Sequence, residues 1–472
     1  MKTIKITNIV SSGFEDDFNF ISLLQIADKP FSEGGFGKIY HCKKINGKAC
    51  NSPQVIKIFK DNGQGSAEHS YRTISELQEK IVQRKQEYET LQADFLEQYP
   101  AFFGAPQFVF IGELDGVEVK GYSANNLIHF GYICFSDVIN NIENQTKYLS
   151  LPVESLYAKA YHLARAFDLL NEFAYIHADF KTDNFFVSLN DSRCALIDFD
   201  SGAFIHNLTD EPYTWGTPQD MLAPEIYEQI SNENSMVKVN LFTDMWSVAV
   251  ATHYLIFSLH PLFFMEELSR NSMMEYTGNF SWPEIKMESS LFNQEMNEAY
   301  EWYCNNVFPD LPKDICECFR YTVTNGYFNP NLRTSYNQWI IKLRPLIPEE
   351  EKRYSFTNMK SRKELHDNPS LEIETVYGVT DSDFPQFIST LVEKLIEKET
   401  FLYEHREELN EIGNALNKSD LYSKVDDFLR CYYDIISDGI ITPIERNKFS
   451  FKARSLGVTP AIAERILSKP IK

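Results

Sequence analysis

The sequence predicts an α+β fold in which an antiparallel sheet comes first, a mainly helical region follows, and an all-helical domain comes last. The turn dipeptides Asn46-Gly47 and Asp115-Gly116 each lie between strand-like runs, and they predict hairpins because both positions tolerate a positive φ. Apolar residues at helical spacing between positions 156 and 170 indicate a buried helix. Helical periodicity resumes beyond position 381, after a charged stretch that reads as a linker.

One long helix interrupts the predicted sheet. The first strands flank a glycine-rich turn at 33–37, and the next apolar run lies at 55–59. Residues from about 71 to 98 show helical spacing with many Glu, Lys and Gln. Strand-like runs at 108–111 and 117–119 complete the sheet, so we expect it to be small and twisted.

The net charge disfavours two classes of partner. The 472 residues include 45 Lys and Arg against 67 Asp and Glu, which leaves a formal net charge of -22. Such an acidic chain repels phosphate backbones and anionic lipid, so we expect neither nucleic-acid nor membrane binding. Because domains typically hold ~100–200 residues, the length predicts two or three units.

The cysteines indicate a reducing compartment. All eight are scattered along the chain, as free thiols usually are. Cys304, Cys316 and Cys318 lack a fourth ligand at metal-site spacing, so we predict buried free thiols there. The N-terminal residues hold no long apolar run and no cleavage signature, so we expect a cytoplasmic protein.

A glycine-rich turn and a strand lysine occur in the order that a nucleotide site needs. Gly34, Gly35 and Gly37 would let backbone N–H groups approach phosphate oxygens with no side chain in the way. Lys57 would place one cation beside those phosphates. Each feature alone fits a tight turn or a solvated lysine equally well, but their order favours a nucleotide site.

The strongest chemical signal begins at His177, directly after the buried helix. Asp179 can accept the proton of an incoming hydroxyl, Lys181 can neutralise charge on a γ-phosphate, and Asn184 can ligate a metal ion. An apolar strand then ends at Asp198, whose carboxylate can chelate Mg²⁺, a hard cation that prefers oxygen ligands. Each piece alone fits a polar loop, but the ordered set favours phosphoryl transfer.

Over roughly residues 29–346 the chain resembles the eukaryotic-type Ser/Thr protein kinase family in a bacterial-like form. The positions that match its glycine-rich turn, strand lysine, catalytic loop and metal-binding motif are Gly34, Phe36, Gly37, Lys57, Asp179, Lys181, Asn184, Asp198 and Phe199. Ala223-Pro224-Glu225 matches the motif that closes the activation segment, and Asp244 matches the start of a central buried helix. Arg333 matches the late arginine that is expected to pair with Glu225.

This resemblance implies a bilobal protein-kinase-like fold, with a small antiparallel β N-lobe and a mainly helical C-lobe. The expected divisions are 1–126 for the N-terminal segment and N-lobe, 127–346 for the C-lobe, 347–378 for a linker and 379–472 for the helical C-terminal domain. The cofactor would be Mg-ATP, with Mn²⁺ as the alternative ion, and the substrates would be proteins.

The resemblance also assigns site residues. Those expected to bind the nucleotide are Gly34, Gly35, Phe36, Gly37, Ile39 and Lys57. Those expected to act in catalysis are Asp179, Lys181 and Lys57. The expected metal ligands are Asn184 and Asp198, and the hinge beside the adenine is expected at 122–126.

The chain departs from the family pattern in several places. Ser32 replaces the first glycine of the turn, and Asp200 replaces the glycine of the metal-binding motif. The helix glutamate that should pair with Lys57 is left open among three residues, of which Glu79 is favoured. The candidates are Glu76, Glu79 and Glu87.

Two further positions bear on specificity and regulation. Lys181 and Thr217 are typical of Ser/Thr kinases, although dual specificity stays open. Ala178 stands where many kinases carry an arginine that holds a phosphate on the activation segment. We therefore expect activity that does not depend on phosphorylation of that segment. Its candidate hydroxyls are Thr209, Tyr213 and Thr214.

The C-terminal residues offer two interpretations. The run from Asp434 to Glu445 has the spacing of an EF-hand calcium loop, but Ile436 occupies a ligand position. We therefore favour a helix–turn–helix with its turn at Asp438-Gly439. The region resembles helical modules of the tellurite-resistance-B type found beside bacterial kinases, which implies an interaction or regulatory module that binds a regulatory protein.

Two alternatives to an active protein kinase remain. A pseudokinase scaffold is disfavoured because every group that the reaction needs is present. A small-molecule kinase of the aminoglycoside type shares the chemistry of Asp179 and Asp198, but it lacks the closing motif that Glu225 and Arg333 indicate.

Overall fold

The computed structural model describes most of the chain as two units. Internal contacts divide it into Met1–Phe356 and Thr357–Lys472. The described residues are 1–11, 21–49, 53–61, 67–91, 93–207, 212–215, 221–231, 236–265, 275–278, 281–283, 293–353, 384–398, 406–416, 418–436, 441 and 443–467. Within these ranges, no helix is both long enough and apolar enough to cross a lipid bilayer.

An antiparallel sheet that closes on itself forms the first part of the first unit. Its strands are β1 (Lys2–Ser11), β2 (Leu23–Ile26), β3 (Ser32–Glu33), β4 (Gly37–Ile45), β5 (Lys48–Ala49), β6 (Gln54–Phe59), β7 (Pro106–Leu114) and β8 (Val117–Asn125). The order β2-β1-β7-β8-β6-β4 returns to its start because β2 also pairs with β4. Six strands therefore form a ring, which leaves none of them with an unpaired edge along its whole length.

The first strand makes this closure possible. The sequence analysis assigns no strand to residues 1–11, and the structure pairs them with both β2 and β7. Ile4 is buried and Lys5 is exposed, an alternation typical of a half-buried strand and one that predicts β1. One hydrophobic cluster lies in the ring: Ile4, Ile21, Leu24, Ile26, Tyr40, Cys42, Ile56, Ile58, Phe108 and Phe110.

Both predicted hairpins are confirmed. Asn46 and Gly47 have φ of 51° and 80°, and Asp115 and Gly116 have φ of 53° and 80°. Positive φ at both central positions defines the turn whose twist suits two-residue hairpins. These turns fix the registers of β4 and of the β7–β8 pair.

The predicted long helix is two helices. α1 (Ala67–Thr90) begins a turn earlier than expected, and α2 (Phe95–Gln98) follows it. The carboxylate of Asp94 accepts hydrogen bonds from the N–H groups of Leu96 and Glu97, so it caps a new helix there.

Helices dominate the rest of the first unit. They are α3 (Phe135–Asn140), α4 (Ile142–Leu149), α5 (Val153–Glu172), α6 (Pro224–Ser231), α7 (Thr243–Phe257), α8 (Gln294–Asn306), α9 (Lys313–Arg320), α10 (Gly326–Phe328) and α11 (Tyr336–Leu343). Short strands lie between them: β9 (Tyr132–Cys134), β10 (Tyr175–Ile176), β11 (Phe185–Ser188), β12 (Cys194–Leu196), β13 (Ala203–Phe204), β14 (Tyr213–Trp215) and β15 (Met236–Lys238). Strand β11 pairs with β9 and β12, β10 with β13, and β14 with β15.

Two helices form the centre of this helical region, and both confirm the sequence-based expectation. α5 buries most of its residues, including Leu163, Phe167 and Leu170. α7 is buried from Thr243 to Ile256. Cys316 and Cys318 on α9 are buried and form no disulfide, as predicted, whereas Cys304 is only half-buried.

The start of the expected linker packs against the first unit. Ile347 is buried, and the carbonyl of Glu351 accepts a hydrogen bond from the ring of buried His162 at 2.8 Å. Residues 354–378 of that linker lie outside the described residues. The described first unit therefore continues past position 346.

The second unit consists of helices in its described part. They are α12 (Phe384–Lys398), α13 (Arg406–Ala415), α14 (Leu421–Ile436), α15 (Pro443–Leu456) and α16 (Pro460–Leu467). One buried cluster that includes Leu391, Phe428 and Phe449 joins them. α15 ends at Leu456 and α16 begins at Pro460. Asp438, Gly439 and the side chains of Asp434 and Glu445 lie outside the described residues.

The expected pair between Glu225 and Arg333 is present. The guanidinium donates to the two carboxylate oxygens at 2.9 and 2.5 Å, and also to the carbonyls of Phe242 and Gly326. The Arg333 side chain has no exposed surface, whereas a quarter of the Glu225 side chain is exposed. Loss of Glu225 would leave a buried cation without its counter-ion.

We predict that Glu225→Ala lowers the free energy of unfolding of the first unit by about 3–5 kcal/mol, the range found when a buried pair loses one partner. Denaturant titration of the full chain would measure it. Asp314→Ala is the matched control, because Asp314 pairs with Lys342 at 3.0 Å on the surface. It should cost less than about 1 kcal/mol. Equal losses for the two variants would contradict a special role for the buried pair.

Candidate active site

The glycine-rich turn joins β3 to β4 and leaves open space above it. The Gly34 N–H donates to the Gly37 carbonyl at 3.0 Å, and the Lys60 N–H donates to the Phe36 carbonyl at 3.0 Å. A Cβ placed on Gly34 or Gly35 would meet no atom within 4 Å. A bound group could therefore lie directly against the backbone here, as the sequence predicts.

Gly37 serves a different purpose, since it brings β4 close to the strand that carries Lys57. A Cβ at Gly37 would lie 2.8 Å from the Ile58 carbonyl oxygen and 3.1 Å from Lys57 Cε. Ile39 lies opposite Lys57 in the β4–β6 ladder. Because paired residues project from the same face, the Ile39 and Lys57 side chains share one face of the sheet.

Lys57 is buried and is held by two carboxylates. Its ammonium contacts Asp198 Oδ1 and lies 2.7 Å from Asp200 Oδ1. Burial would lower the pKa of Lys57, but the two carboxylates raise that pKa well above its ordinary value. Burial raises the pKa of Asp200, whereas Lys57 overcomes the effect of burial at Asp198 and holds its pKa below the ordinary value. Lys57 therefore stays charged.

The expected helix-glutamate partner of Lys57 is wrong. Glu79 and Glu87 on α1 are exposed, Glu76 is half-buried, and Glu87 pairs with Arg84 at 3.0 Å. All 24 residues of α1 are described, and its buried positions hold no acid. Those positions are Ser70, Thr73, Ile74, Leu77, Gln78 and Ile81. The helix packs on the sheet through this neutral face, so its acids point elsewhere.

The segment between β10 and β11 brings together three predicted residues. Lys181 Nζ lies 3.0 Å from Asp179 Oδ2 and 3.2 Å from Oδ1. Asn184 Nδ2 donates to the Asp179 carbonyl at 2.7 Å and to Asp179 Oδ2 at 3.1 Å. One cation and one amide thereby fix the Asp179 carboxylate. Asp179 is also buried, with only 6% of its surface exposed.

Asp244, at the start of α7, binds the backbone of this loop. Its carboxylate accepts hydrogen bonds from the N–H groups of His177 at 2.6 Å and Ala178 at 3.0 Å. Ala178 has φ of 63°, a left-handed conformation that costs a residue with a Cβ roughly 1–2 kcal/mol. The two hydrogen bonds to the buried Asp244 carboxylate stabilise this strained backbone. They thereby fix the position of Asp179, the next residue in the chain.

Asp198 also has a left-handed backbone, with φ of 64°. The next side chain, Phe199, is buried and packs against the rings of His177 and Phe102, with centroids 5.3 and 6.2 Å away. Because Phe199 points into the core, Asp198 points away from it. A quarter of the Asp198 side chain reaches the surface.

The residues present fit a hard divalent cation. The amide nitrogen of Asn184 is committed to Asp179, so its amide oxygen is the atom left for a metal ion. Asp198 offers a carboxylate that its pKa keeps ionised. Oxygen donors of these two types are the ligands that Mg²⁺ prefers, so Asn184 and Asp198 could hold this ion.

Comparison with known proteins bears on the part of the chain that holds this loop. Residues 120–325 match the family model for the protein kinase domain. This match supports a protein kinase family. The matched kinase domain includes Asp179, Asn184 and Asp198, but it begins after Lys57 and ends before Arg333. No curated protein matches the chain.

Two features of this site were missed by sequence reasoning. The contact of Asp200 with Lys57 was not predicted, although its replacement of the family glycine was visible as a departure. The second feature is the support that Asp244 gives to this loop. Asp244 bonds Ala178, which lies 66 positions earlier in the chain, and a local sequence pattern does not predict such a contact. The other expected site residues lie in the turn, on β6 and in the loops beside β11 and β12, and their roles remain predictions.

We predict that Gly37→Ala lowers the free energy of unfolding by about 1–3 kcal/mol, because the added methyl group would press on β6. Gly35→Ala, where the space is open, should change it by less than about 0.5 kcal/mol. Denaturant titration of both variants checks this. Equal stability of the two variants would show that β4 does not lie as close to Lys57 as described.

Proposed function

We propose that the chain is a bilobal Ser/Thr protein kinase that transfers the γ-phosphate of Mg-ATP to protein hydroxyls. The observation that supports this most strongly is the joint placement of Asp179, Lys181 and Asn184. One loop fixes a candidate base, a cation and an amide within hydrogen-bond distance of each other. Phosphoryl transfer relies mostly on such positioning and on charge stabilisation.

In this proposal each side chain has a distinct task. Mg-ATP supplies the transferable phosphoryl group and a cation that balances its charge. Asp179 accepts the hydroxyl proton of the substrate, and Lys181 beside it neutralises charge on the phosphate. Asn184 and Asp198 ligate the metal ion. Lys57 orients the nucleotide phosphates from beneath the glycine-rich turn, with Ile39 on the same face of the sheet.

The preference for Ser and Thr rests on sequence positions. Lys181, two residues past Asp179, is typical of Ser/Thr kinases. Thr217, the second position, lies outside the described residues. The pair between Glu225 and Arg333 favours a protein kinase over a small-molecule kinase, because it closes an activation segment.

The remaining assignments extend the same proposal. Residues 1–126 and 127–346 would form the two lobes, and the helical residues 379–472 would bind a regulatory protein. A net charge of -22 favours protein partners over nucleic acid or a membrane surface. We place the protein in the cytoplasm because none of its described cysteines forms a disulfide.

Removing the proposed base or metal ligand tests this function. We predict that Asp179→Asn and Asp198→Asn each lower kcat by at least about 10²–10⁴-fold, since each removes a group that acts on the reacting atoms. Transfer of labelled phosphate from ATP to a generic protein substrate measures it. Asp183→Asn is the matched control, because Asp183 lies in the same loop with its side chain exposed. Near wild-type transfer by either site variant would contradict the proposal.

We also predict that the enzyme needs no phosphate on its activation segment. Ala178 offers no charge to such a phosphate. Thr214 is buried and its hydroxyl donates to the Ser201 carbonyl at 2.5 Å, while β14 pairs with β15, so this part of the segment is already ordered. Phosphatase-treated protein, shown by mass spectrometry to be unmodified over residues 198–225, should keep its initial rate within about twofold. A large loss restored by phosphorylation at Thr209 or Tyr213 would contradict the prediction; Thr209 lies outside the described residues.

A further inference from the structure

We propose that Asp200 is the positioning residue for Lys57, and that it replaces the helix glutamate that the family resemblance led us to expect. This inference rests on the proposed function, because it concerns how Lys57 is held while the nucleotide is bound. The relevant facts are the burial of the two carboxylates at Lys57, the neutral face of α1, and the contacts that fix the turn Phe199–Ser201.

The two carboxylates differ in what they can reach. A quarter of the Asp198 side chain is exposed, whereas none of the Asp200 side chain is. Asp198 is the proposed metal ligand, and a carboxylate that ligates a metal is less available to hold a lysine. The Asp200 side chain is fully buried 2.7 Å from the Lys57 ammonium, so it remains beside Lys57 whether or not a metal ion is bound.

No acid from α1 can take this place in the structure described. The part of α1 nearest the turn presents Ser70, whose hydroxyl donates to the Asp200 backbone carbonyl at 3.4 Å. Its glutamates are half-buried at Glu68 and Glu76 and exposed at Glu79, Glu87 and Glu89, and Glu68 pairs with Lys120 at 2.9 Å. The chain therefore supplies the counter-ion from the turn after β12 rather than from the helix.

The backbone that carries Asp200 is itself held on two sides. Ser70 bonds its carbonyl from α1, and the buried hydroxyl of Tyr175 donates to the carbonyl of Phe199 one residue earlier. The Phe199 ring packs against His177. A carboxylate on so constrained a turn restricts where the Lys57 ammonium can lie, which is what a positioning residue must do.

The charges around Lys57 distinguish a positioning role for Asp200 from a purely structural one. One ammonium and two carboxylates form the buried cluster, and Asp200 Oδ2 has no hydrogen-bond partner among the described residues. Removing Asp200 leaves the balanced pair of Lys57 and Asp198. A residue retained for stability alone would lower the melting temperature when lost, whereas a positioning residue lowers kcat with little effect on melting.

The first test is kinetic. Asp200→Asn and Asp200→Gly should each lower kcat by about 10–100-fold at saturating Mg-ATP, the range found when a supporting partner is removed. When Lys57 is already replaced by Ala, the same changes should lower kcat further by less than about threefold, because Asp200 acts through Lys57. Fully additive losses, or a loss of kcat matched by a large fall in melting temperature, would overturn the positioning role.

The helix provides controls that do not depend on the folding of an Asp200 variant. Glu76→Gln, Glu79→Gln and Glu87→Gln should each keep kcat within about twofold, since a surface substitution away from the site rarely matters. A tenfold or larger loss in any of them would overturn the inference, because a helix glutamate would then hold Lys57 in the working enzyme.

The second test needs no activity. The full-length protein without nucleotide is treated with acetic anhydride, and mass spectrometry follows acetylation of Lys57, which requires the neutral amine. Asp198→Asn should keep much of the protection of Lys57, because Asp200 still pairs with it. Asp198→Asn/Asp200→Asn should react at least about tenfold faster than Asp198→Asn, because no carboxylate then faces the ammonium.

These two tests separate failure of the inference from failure of the proposed function. Equal acetylation of the single and double variants would overturn the role of Asp200 whatever the enzyme does. Protection lost only in the double variant supports the pairing even if the wild-type protein transfers no phosphate, an outcome that would contradict the kinase proposal alone.

Discussion

A buried ammonium group at Lys57 is the constraint on which the rest of the site depends. Lys57 is only 5% exposed, and a charge removed from water to that extent persists only when it is paired. Asp198 and Asp200 supply the pairing, and both lie on one turn after β12. That turn must therefore pack against β6, which brings the candidate metal ligand to the strand that carries the lysine.

Two kinds of rigid support surround Lys57 and its two carboxylates. On the strand side, the ring of six strands fixes β6 between β4 and β8, with Gly37 allowing β4 to approach closely. On the helical side, Asp244 accepts two backbone hydrogen bonds from the strained segment that precedes Asp179. The sheet thus holds Lys57, whereas the loop supported by Asp244 holds Asp179. The strained backbone at Ala178 and Asp198 is maintained by packing and hydrogen bonds rather than by local preference.

Local patterns were enough to predict much of this arrangement. Hairpins at Asn46-Gly47 and Asp115-Gly116 follow from the φ values that those residues tolerate, and the buried helices follow from their apolar spacing. The order of Lys57, Asp179 and Asp198 predicts phosphoryl transfer, the chemistry that we propose. The partner of Lys57 was not predictable in the same way, because any acid near the site could neutralise a buried lysine, and only packing shows that α1 turns its glutamates outward. Closure of the sheet by β1 likewise depends on pairing between residues about a hundred positions apart.

The most direct measurement of the central claim is a crystal structure of the full chain with Mg²⁺ and a non-hydrolysable ATP analogue. The account predicts that Asp198 and Asn184 contact the metal ion, that Lys57 contacts the nucleotide phosphates, and that Asp200 stays within hydrogen-bond distance, about 3 Å, of the Lys57 ammonium. A complex in which a glutamate of α1 pairs with Lys57, or in which the nucleotide lies away from this lysine, would contradict it.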